Sequence, residues 1–363
     1  MLQKYTAYCL YLLLVCGLYS CSNDNGYELI EPDPVSPVVF NFNEVPYETL
    51  SEYNFFGGDL KELNPTYGVI PYNLNSTLFT DYAKKKRFIW MPDNVQASYV
   101  NDYSVLDFPD GAVLIKNFYY DNVLPDNATK IIETRLMFKL ENSWRFANYV
   151  WNDDQTEAYF TTEGSVVAFD WIEEGETKSV NYRIPRFAEC FSCHNNNESP
   201  IPIGPKPQNL NKSFPYEDGP MNQLSKLIDQ GYLNGDIPSN IVSTVNWKDV
   251  SKPLGERVRS YFDINCAHCH SEGGYCDYGQ IGLAYSDYEG DASLGVCVEN
   301  LFFVGNEFSH IIKPGDLNAS ALYFRMLSDE DEFKMPLIGR TLVHEEGVAL
   351  IEQWINSLNI NCY

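Results

Sequence analysis

Two copies of the motif Cys-x-x-Cys-His restrict what this chain can fold into more than any other feature of its sequence. The first copy is Cys190-Phe-Ser-Cys193-His194 and the second is Cys266-Ala-His-Cys269-His270. In this pattern one helical turn places two thiols where each can add to a vinyl group of a porphyrin, and the next imidazole faces the iron. The sequence therefore predicts two covalent haem c groups, attached through Cys190, Cys193, Cys266 and Cys269, with His194 and His270 as iron ligands.

Three other interpretations of the motifs compete with haem attachment: a structural zinc site, a thioredoxin-like dithiol and coincidence. A zinc site would need Cys and His side chains from both motifs in one tetrahedron, across a spacing far longer than in a compact finger, though not an impossible one. A dithiol motif belongs to a βαβ context, which the sequence does not predict here. Two copies that both end in His favour haem.

Met335 is the predicted second ligand of the second iron. It lies 65 residues after His270, in Phe333-Lys-Met-Pro-Leu-Ile-Gly339, ahead of an amphipathic terminal helix. Pro336 favours an extended backbone at Met335, so a loop can present the sulfur. A thioether ligand favours ferrous iron and raises the reduction potential. The alternative is that Met335 only fills the core.

The first motif has no equally clear partner. Met221 follows His194 by 27 residues, which is close for a distal loop. The other downstream residues of a suitable type are Met326, His310 and His344, each more typical of a core or cap position. We expect His344 to be a helix cap or a solvated side chain, and His268 to be exposed or bonded to a haem carboxylate. The first haem could also take a ligand from the N-terminal half or stay five-coordinate.

The N-terminus predicts export. An apolar run from Tyr5 to Tyr19 precedes Cys21, and Leu18-Tyr-Ser-Cys21 resembles the lipobox of bacterial lipoproteins, although Tyr19 departs from it. We expect residues 1–21 to be a lipoprotein signal peptide and residues 22–37 a tether, with Cys21 as the only membrane anchor. Ser22 favours the outer membrane, so the protein would face the periplasm or the cell surface. An ordinary signal peptide or a membrane anchor is the alternative.

Export also affects how the remaining cysteines are interpreted. In an oxidising compartment Cys276 and Cys297 could close a disulfide across a Tyr- and Gly-rich loop, which leaves Cys362 unexplained.

The hydrophobic pattern predicts a multidomain chain. Residues 38–184 alternate short strands with polar turns and indicate an all-β domain, an antiparallel sandwich or barrel. Helical periodicity then predicts mostly α, cytochrome c-like haem domains. We place a first haem region at 185–250 and a cytochrome c-like domain with the second haem at 251–363.

The net charge of −25 argues against nucleic acid as a partner, because phosphates would be repelled. An acidic surface could instead steer a basic redox protein, whose identity the sequence does not give.

Beyond the motifs, the chain resembles a family of exported bacterial dihaem c-type cytochromes with a β-rich N-terminal region and no settled activity. The resemblance covers nearly the whole mature chain and is carried by Leu50–Gly58, Tyr72–Ala83, Tyr149–Asp154, Asn222–Leu224 and Pro314–Asp316. It implies haem attachment at both motifs and Met335 as a distal ligand.

These observations predict electron transfer through two haems, with no catalytic residue assigned. One alternative is a haem oxidoreductase, like a dihaem peroxidase, in which an open first haem does chemistry. Another makes residues 38–184 a binding module for a polymer or partner.

Overall fold

Alternating hydrophobic residues between polar turns build one large antiparallel sheet in the N-terminal half. The computed structural model describes residues 34–362 except for Gln280, Phe302, Phe303 and Asn306. The predicted signal peptide, the predicted Cys21 anchor and residues 22–33 of the predicted tether lie outside the described residues. The structure described below is that of the compact unit that begins at Ser36.

Fourteen strands are present in the described residues. They are β1 (Phe56–Gly57), β2 (Asn64–Pro65), β3 (Ile70–Tyr72), β4 (Lys84–Trp90), β5 (Val113–Val123), β6 (Ala128–Leu140), β7 (Ser143–Trp151), β8 (Ala158–Thr161), β9 (Ser165–Glu173), β10 (Glu176–Ile184), β11 (Asn195–Asn196), β12 (Ser199–Pro200), β13 (Ser213–Tyr216) and β14 (Gly219–Asn222). Eight of them form the main sheet, in the order β10-β9-β5-β6-β7-β8, with β4 paired to β5 and β3 paired to β4. The remaining strands form three small hairpins.

Two tight turns set the register of the sheet. Glu141 and Asn142 connect β6 to β7 and both have positive φ, at 52° and 59°. Glu174 and Gly175 do the same between β9 and β10. Two consecutive residues with positive φ match the right-handed twist of a hairpin, so these turns pair the flanking strands without a loop.

The sheet has a packed layer on each face. One face buries Phe88, Ile115 and Phe138 beneath the segment around Tyr53. The other face buries Ile89, Leu114 and Met137 against Leu210, Leu224 and Ile264 from the second half of the chain. This second layer positions the first motif, because Cys190 packs on the same cluster.

Six short α-helices lie in the described residues of the second half. They are α1 (Cys190–Cys193), α2 (Pro207–Leu210), α3 (Gln223–Asp229), α4 (Leu254–Asn265), α5 (Ala321–Leu327) and α6 (Glu345–Ser357). Single 3₁₀ turns lie at Ser51–Tyr53, Leu60–Glu62, Phe187–Glu189, Tyr285–Asp287, Asp291–Leu294 and Leu317–Ala319. Helices α4 and α6 pack around Phe262, Ile351 and Trp354 in a separate core. No helix within the described ranges combines the length and hydropathy needed to cross a membrane.

The predicted fold class was wrong. Only 20% of the structure is helical and 28% is strand, so the second half is not a mostly α, cytochrome c-like domain. The helical periodicity is real where it occurs, since α3, α4 and α6 lie within about two residues of the helices that it predicts at 222–230, 255–263 and 345–358. Between them, glycines with positive φ, such as Gly231, Gly295 and Gly339, support irregular chain that four short periodic windows could not reveal. The strands, moreover, form one large sheet with layers on both faces, not the two facing sheets of a sandwich.

Candidate functional site

The first motif occupies a single helical turn. Helix α1 holds Cys190 and Cys193 one turn apart, and the backbone N–H of His194 donates to the carbonyl of Cys190 at 2.9 Å. Both cysteines are free thiols. The two thiols and the imidazole therefore share one short turn, which is the arrangement that attachment to one flat macrocycle requires.

The imidazole of His194 is held in one tautomer. Its Nδ1 lies 3.0 Å from the carbonyl oxygen of Ile201, and a carbonyl can only accept, so Nδ1 carries the proton and Nε2 is bare. The ring packs against Phe146 of β7 with their centroids 5.4 Å apart. Burial lowers the pKa of His194 to about 3, so the ring stays neutral at physiological pH. A neutral ring with a free Nε2 is the form that binds iron.

The second motif follows directly on α4. The N–H groups of Cys269 and His270 both donate to the carbonyl of Cys266, at 3.1 and 3.0 Å. Nδ1 of His270 is buried and has no hydrogen-bond partner among the described residues. Burial lowers the pKa of His270 to about 4. A buried imidazole that stays neutral is in the form in which histidine binds a metal ion.

One cavity collects the predicted groups of the second site. Cys266, Cys269, His270 and Met335 all line a space of about 300 Å³ whose wall is mainly apolar. The chain separates His270 from Met335, and the fold places both on the lining of this cavity.

The loop that carries Met335 is anchored from both ends. The N–H of Met335 donates to the carbonyl of Arg325 at 2.8 Å, and Nε of Arg340 donates to the carbonyl of Met335 at 3.0 Å. Arg340 is only 5% exposed and gives its other nitrogens to further carbonyls of the same region. A buried guanidinium that bonds only backbone oxygens fixes the path of the chain around it.

Asp81 holds the far end of this loop from the sheet side. Its carboxylate accepts from the N–H of Thr341 at 2.7 Å, from the Thr341 hydroxyl at 2.9 Å and from the N–H of Leu342 at 2.8 Å. Asp81 lies in the Tyr72–Ala83 stretch that precedes β4. The β-rich half therefore takes part in building the second site.

The two motifs are in contact. Sγ of Cys193, a ring nitrogen of His268 and Sγ of Cys269 lie within 4.8 Å of one another. The backbone N–H of Asn197 also donates to the carbonyl of Gly273 at 2.8 Å. The hydrogen bond from Cys269 lowers the pKa of the Cys193 thiol, and the same bond raises the pKa of Cys269. His268 is thus half-buried between the motifs, with its Nδ1 unpartnered within the described part of the chain.

The candidates for a second ligand at the first site separate clearly. Met221 lies on β14 and is half-buried in the cluster that also includes Cys190. Met137 of β6 is buried in the same cluster, and no sequence pattern singles it out. Met326 and His344 instead line the cavity at the second motif. His310 bonds the hydroxyl of Ser309 at 2.8 Å and is not part of that lining.

His344 is neither a cap nor a solvated side chain, so that expectation was wrong. It is 8% exposed, stacks on Phe79 with ring centroids 4.0 Å apart, and shares a 3.0 Å hydrogen bond with the Tyr261 hydroxyl. It occupies the N-cap position of α6 without making a side-chain cap bond. Burial lowers its pKa to about 4.

The predicted disulfide between Cys276 and Cys297 was also wrong. Cys297 is bonded to Cys362, and Cys276 is a buried free thiol. The C-terminal segment after α6 returns to the loop at Cys297, a tertiary contact that proximity in sequence could not reveal.

Three positioning groups were missed in the sequence. Arg340 is a single basic residue after a Gly, and Ile201 acts only through its backbone, so neither gave a signal. Asp81 lies within a stretch that carries the family resemblance, and that stretch could have drawn attention to it. No protein-family model, no curated protein and no solved structure matches the chain.

Proposed function

We propose that this protein is a dihaem c-type cytochrome that transfers electrons in the cell envelope through two covalently bound haems. The observation that carries the proposal is the convergence of Cys266, Cys269, His270 and Met335 on one apolar cavity. In a c-type haem site two thiols attach the macrocycle, and an imidazole and a thioether can serve as the two protein ligands of the iron. Three of these groups come from one turn and the fourth from a distant loop.

The surroundings of the first motif support the attachment of a haem there as well. Cys190 packs on the apolar part of the sheet, and His194 presents a neutral, unprotonated Nε2. Ile201 fixes the ring orientation, as outer-shell carbonyls do for ligating histidines. The sheet therefore provides one apolar surface for this site.

Bound haem would supply one-electron chemistry at its iron. The chain would contribute attachment through the thiols, iron ligands from His270 and Met335, and a mainly apolar cavity wall. Arg340 and Asp81 hold the Met335 loop in place at the cavity. A soft thioether in apolar surroundings favours the reduced iron, which suits a carrier that accepts electrons from a lower-potential donor.

Counting covalent haem in the full-length protein, matured by a c-type haem system, tests the proposal. Intact mass should show two haems, and the Cys266→Ser/Cys269→Ser and Cys190→Ser/Cys193→Ser variants should each show one. Cys276→Ser is the matched control, because it removes a buried thiol of the same cavity lining that is in neither motif, and it should keep two. A wild-type protein without covalent haem would refute the proposal.

Met335→Ala should open the second iron, lower its potential and allow the reduced protein to bind carbon monoxide. Met326→Leu is the control, since Met326 lines the same cavity. Carbon monoxide binding by the wild type would instead identify an open first haem and favour the oxidoreductase alternative. An unchanged spectrum in Met335→Ala would remove Met335 from the ligand set.

The contact between Cys193, His268 and Cys269 favours a second candidate, a zinc site in a haem-free chain. Thiolate and imidazole are the donors that zinc prefers, and three donors leave one position open. Metal analysis of the full-length protein distinguishes the candidates. One equivalent of zinc that His268→Ala abolishes, in protein without haem, supports this second candidate.

We further propose that the protein is an outer-membrane lipoprotein anchored at Cys21 and that its partner is a redox protein. Lipid labelling of the wild type and of Cys21→Ala, followed by membrane fractionation, tests the anchor. A label that persists in Cys21→Ala contradicts it.

A further inference from the structure

The face of the sheet beside the first motif carries a row of cationic side chains. Across four neighbouring strands, Arg87 stands opposite Lys116, Lys116 opposite Arg135, and Arg135 opposite Asn148. Directly opposed residues project from the same face of a sheet, and like charges in that position repel each other. Lys85 adds a further cation on this face, two residues before Arg87. Such a row requires a counter-charge.

The described residues supply only one of the carboxylates that the row needs. Glu133 makes a two-bond ion pair with Arg135, at 2.9 and 2.5 Å. Nη1 of Arg87 donates to the side-chain oxygen of Asn73 at 3.2 Å, and Nζ of Lys85 donates to a backbone carbonyl at 3.1 Å. Lys116 has no carboxylate at ion-pair distance within the described ranges, and its Nζ lies 4.8 Å from the centre of the Phe118 ring.

Two side chains of the row also have unused hydrogen-bonding atoms. Arg87 is 4% exposed, and its Nη2 has no partner among the described residues. Both amide atoms of Asn148 are buried and likewise have no partner there. Burial lowers the pKa of Lys116 well below its usual value, with Arg87 and Lys85 adding to the effect. Unpaired buried donors and cations carry a large free-energy cost unless a ligand meets them.

An apolar row lies next to the cationic row on the same face. Ile89, Leu114, Met137 and Phe146 oppose one another across the same four strands, and each lies two residues from its cationic or amide neighbour. A step of two residues is about 7 Å along a strand. The apolar row packs with Cys190 and contacts His194 through Phe146. The apolar row is buried, so it joins the first motif to the sheet, and the cationic row borders this shared cluster.

We propose that Arg87, Lys116, Arg135 and Asn148 form a binding site for carboxylate groups beside the first motif. The inference rests on the proposed function for its main source, the two propionates of the haem that Cys190 and Cys193 would attach. Carboxylates at the edge of a cofactor attached beside this row would supply the counter-charge that its lysine and arginine side chains lack. A free dicarboxylate has the same charged chemistry, and the experiment below separates the two sources.

Lys116→Gln in the full-length, haem-loaded protein is the test, with Lys116→Arg as a charge-preserving variant. Lys86→Gln is the matched control, because Lys86 is exposed and, as the neighbour of Lys85 and Arg87 on β4, it projects from the opposite face of the sheet. Haem content is measured first, and redox titration follows. Removal of the cation should shift the ratio of reduced to oxidised first haem about tenfold toward oxidised, which is about 59 mV for one electron. Lys116→Arg and Lys86→Gln should keep the wild-type value.

Calorimetric titration with succinate provides the second arm. If succinate binds the wild type but not Lys116→Gln, and if Lys116→Gln does not shift the haem potential, a free carboxylate is the occupant of the row. If Lys116→Gln matches Lys86→Gln in both measurements, the inference is wrong. Absence of covalent haem in every variant refutes the proposed function instead, and the succinate arm still decides whether the row binds carboxylate.

Discussion

Replacing Arg340 should release the loop that carries Met335. Its guanidinium, which is nearly inaccessible to solvent, donates to five backbone carbonyls: those of Arg325, Met326, Ser328, Met335 and Leu342. Three of the five bonds share Nη2, so for the energy estimate each of the three nitrogens is given the strength of one hydrogen bond. At about 1.5 kcal/mol for each charged hydrogen bond, Arg340→Met should cost about 4 kcal/mol of unfolding free energy. That value is near the upper end for single substitutions.

Urea unfolding of the full-length protein measures this loss, and the spectrum of the ferric haem-loaded protein reports whether Met335 still binds iron. Arg325→Met is the matched control, because Arg325 lines the same cavity but donates one bond, to the carbonyl of Phe333 at 3.3 Å. We expect it to cost about 1 kcal/mol and to keep the thioether ligand. The anchoring argument is refuted if Arg340→Met lowers the unfolding free energy no more than this control does. It is also refuted if Arg340→Met lowers that free energy as expected and Met335 still binds the iron.

Three further predictions concern other parts of the structure. Burial lowers the pKa of His344 from 6.5 to about 4, so between pH 6.5 and pH 4 its imidazole gains a proton in the unfolded chain but not in the folded one. The unfolding free energy should therefore fall by about 3 kcal/mol as the pH drops from 6.5 to 4. Urea unfolding at several pH values should show that His344→Gln reduces this slope and that His310→Gln does not. The Cys297–Cys362 disulfide closes a span of 65 residues, so Cys362→Ser should lower the unfolding free energy by about 4 kcal/mol, and a loss below 1 kcal/mol would contradict this. Because the two motifs are in contact, the absorption bands of the two proposed haems should couple and give a split circular-dichroism signal. A variant that lacks the cysteines of either motif should lose the splitting, and an unsplit signal from the wild type would argue against close haems.

Local features of this chain could be predicted from its sequence because they depend on local chemistry. The alternation from Ser143 to Trp151 fixes a strand, and that strand is β7 with the same bounds. Asn222 before an apolar run predicts a helix start, and its side chain caps α3 by accepting from the N–H groups of Leu224 and Ser225. The two motif turns also follow from spacing alone.

Tertiary relations could not be predicted in the same way. The cationic row depends on which strands are neighbours, and a register shift of one residue would turn Lys116 to the other face. The pairing of Cys297 with Cys362 depends on the return of the chain after α6. The error in fold class has a similar cause, since short helical windows in residues 185–363 do not reveal the irregular chain between them. His344 was misjudged because its position in the sequence resembles a cap, whereas burial between Phe79 and Tyr261 decides its environment.

The arrangement of the core predicts what removal of the β-rich half would do. One hydrophobic cluster contains Ile70 from the sheet, Leu210 from the predicted first haem region and Ile264 from α4, so the core crosses the two boundaries that the sequence suggested at 184/185 and 250/251. Asp81 anchors the Met335 loop, and Phe146 covers His194. A binding module that merely accompanies the haems could be deleted without harm to either site. A chain with its signal peptide but without residues 38–184 should therefore lose thioether ligation at the second site and haem retention at the first. Two unaltered haem spectra from that deletion would show instead that the sheet is an independent module, and the role proposed here for its cationic row would fail with it.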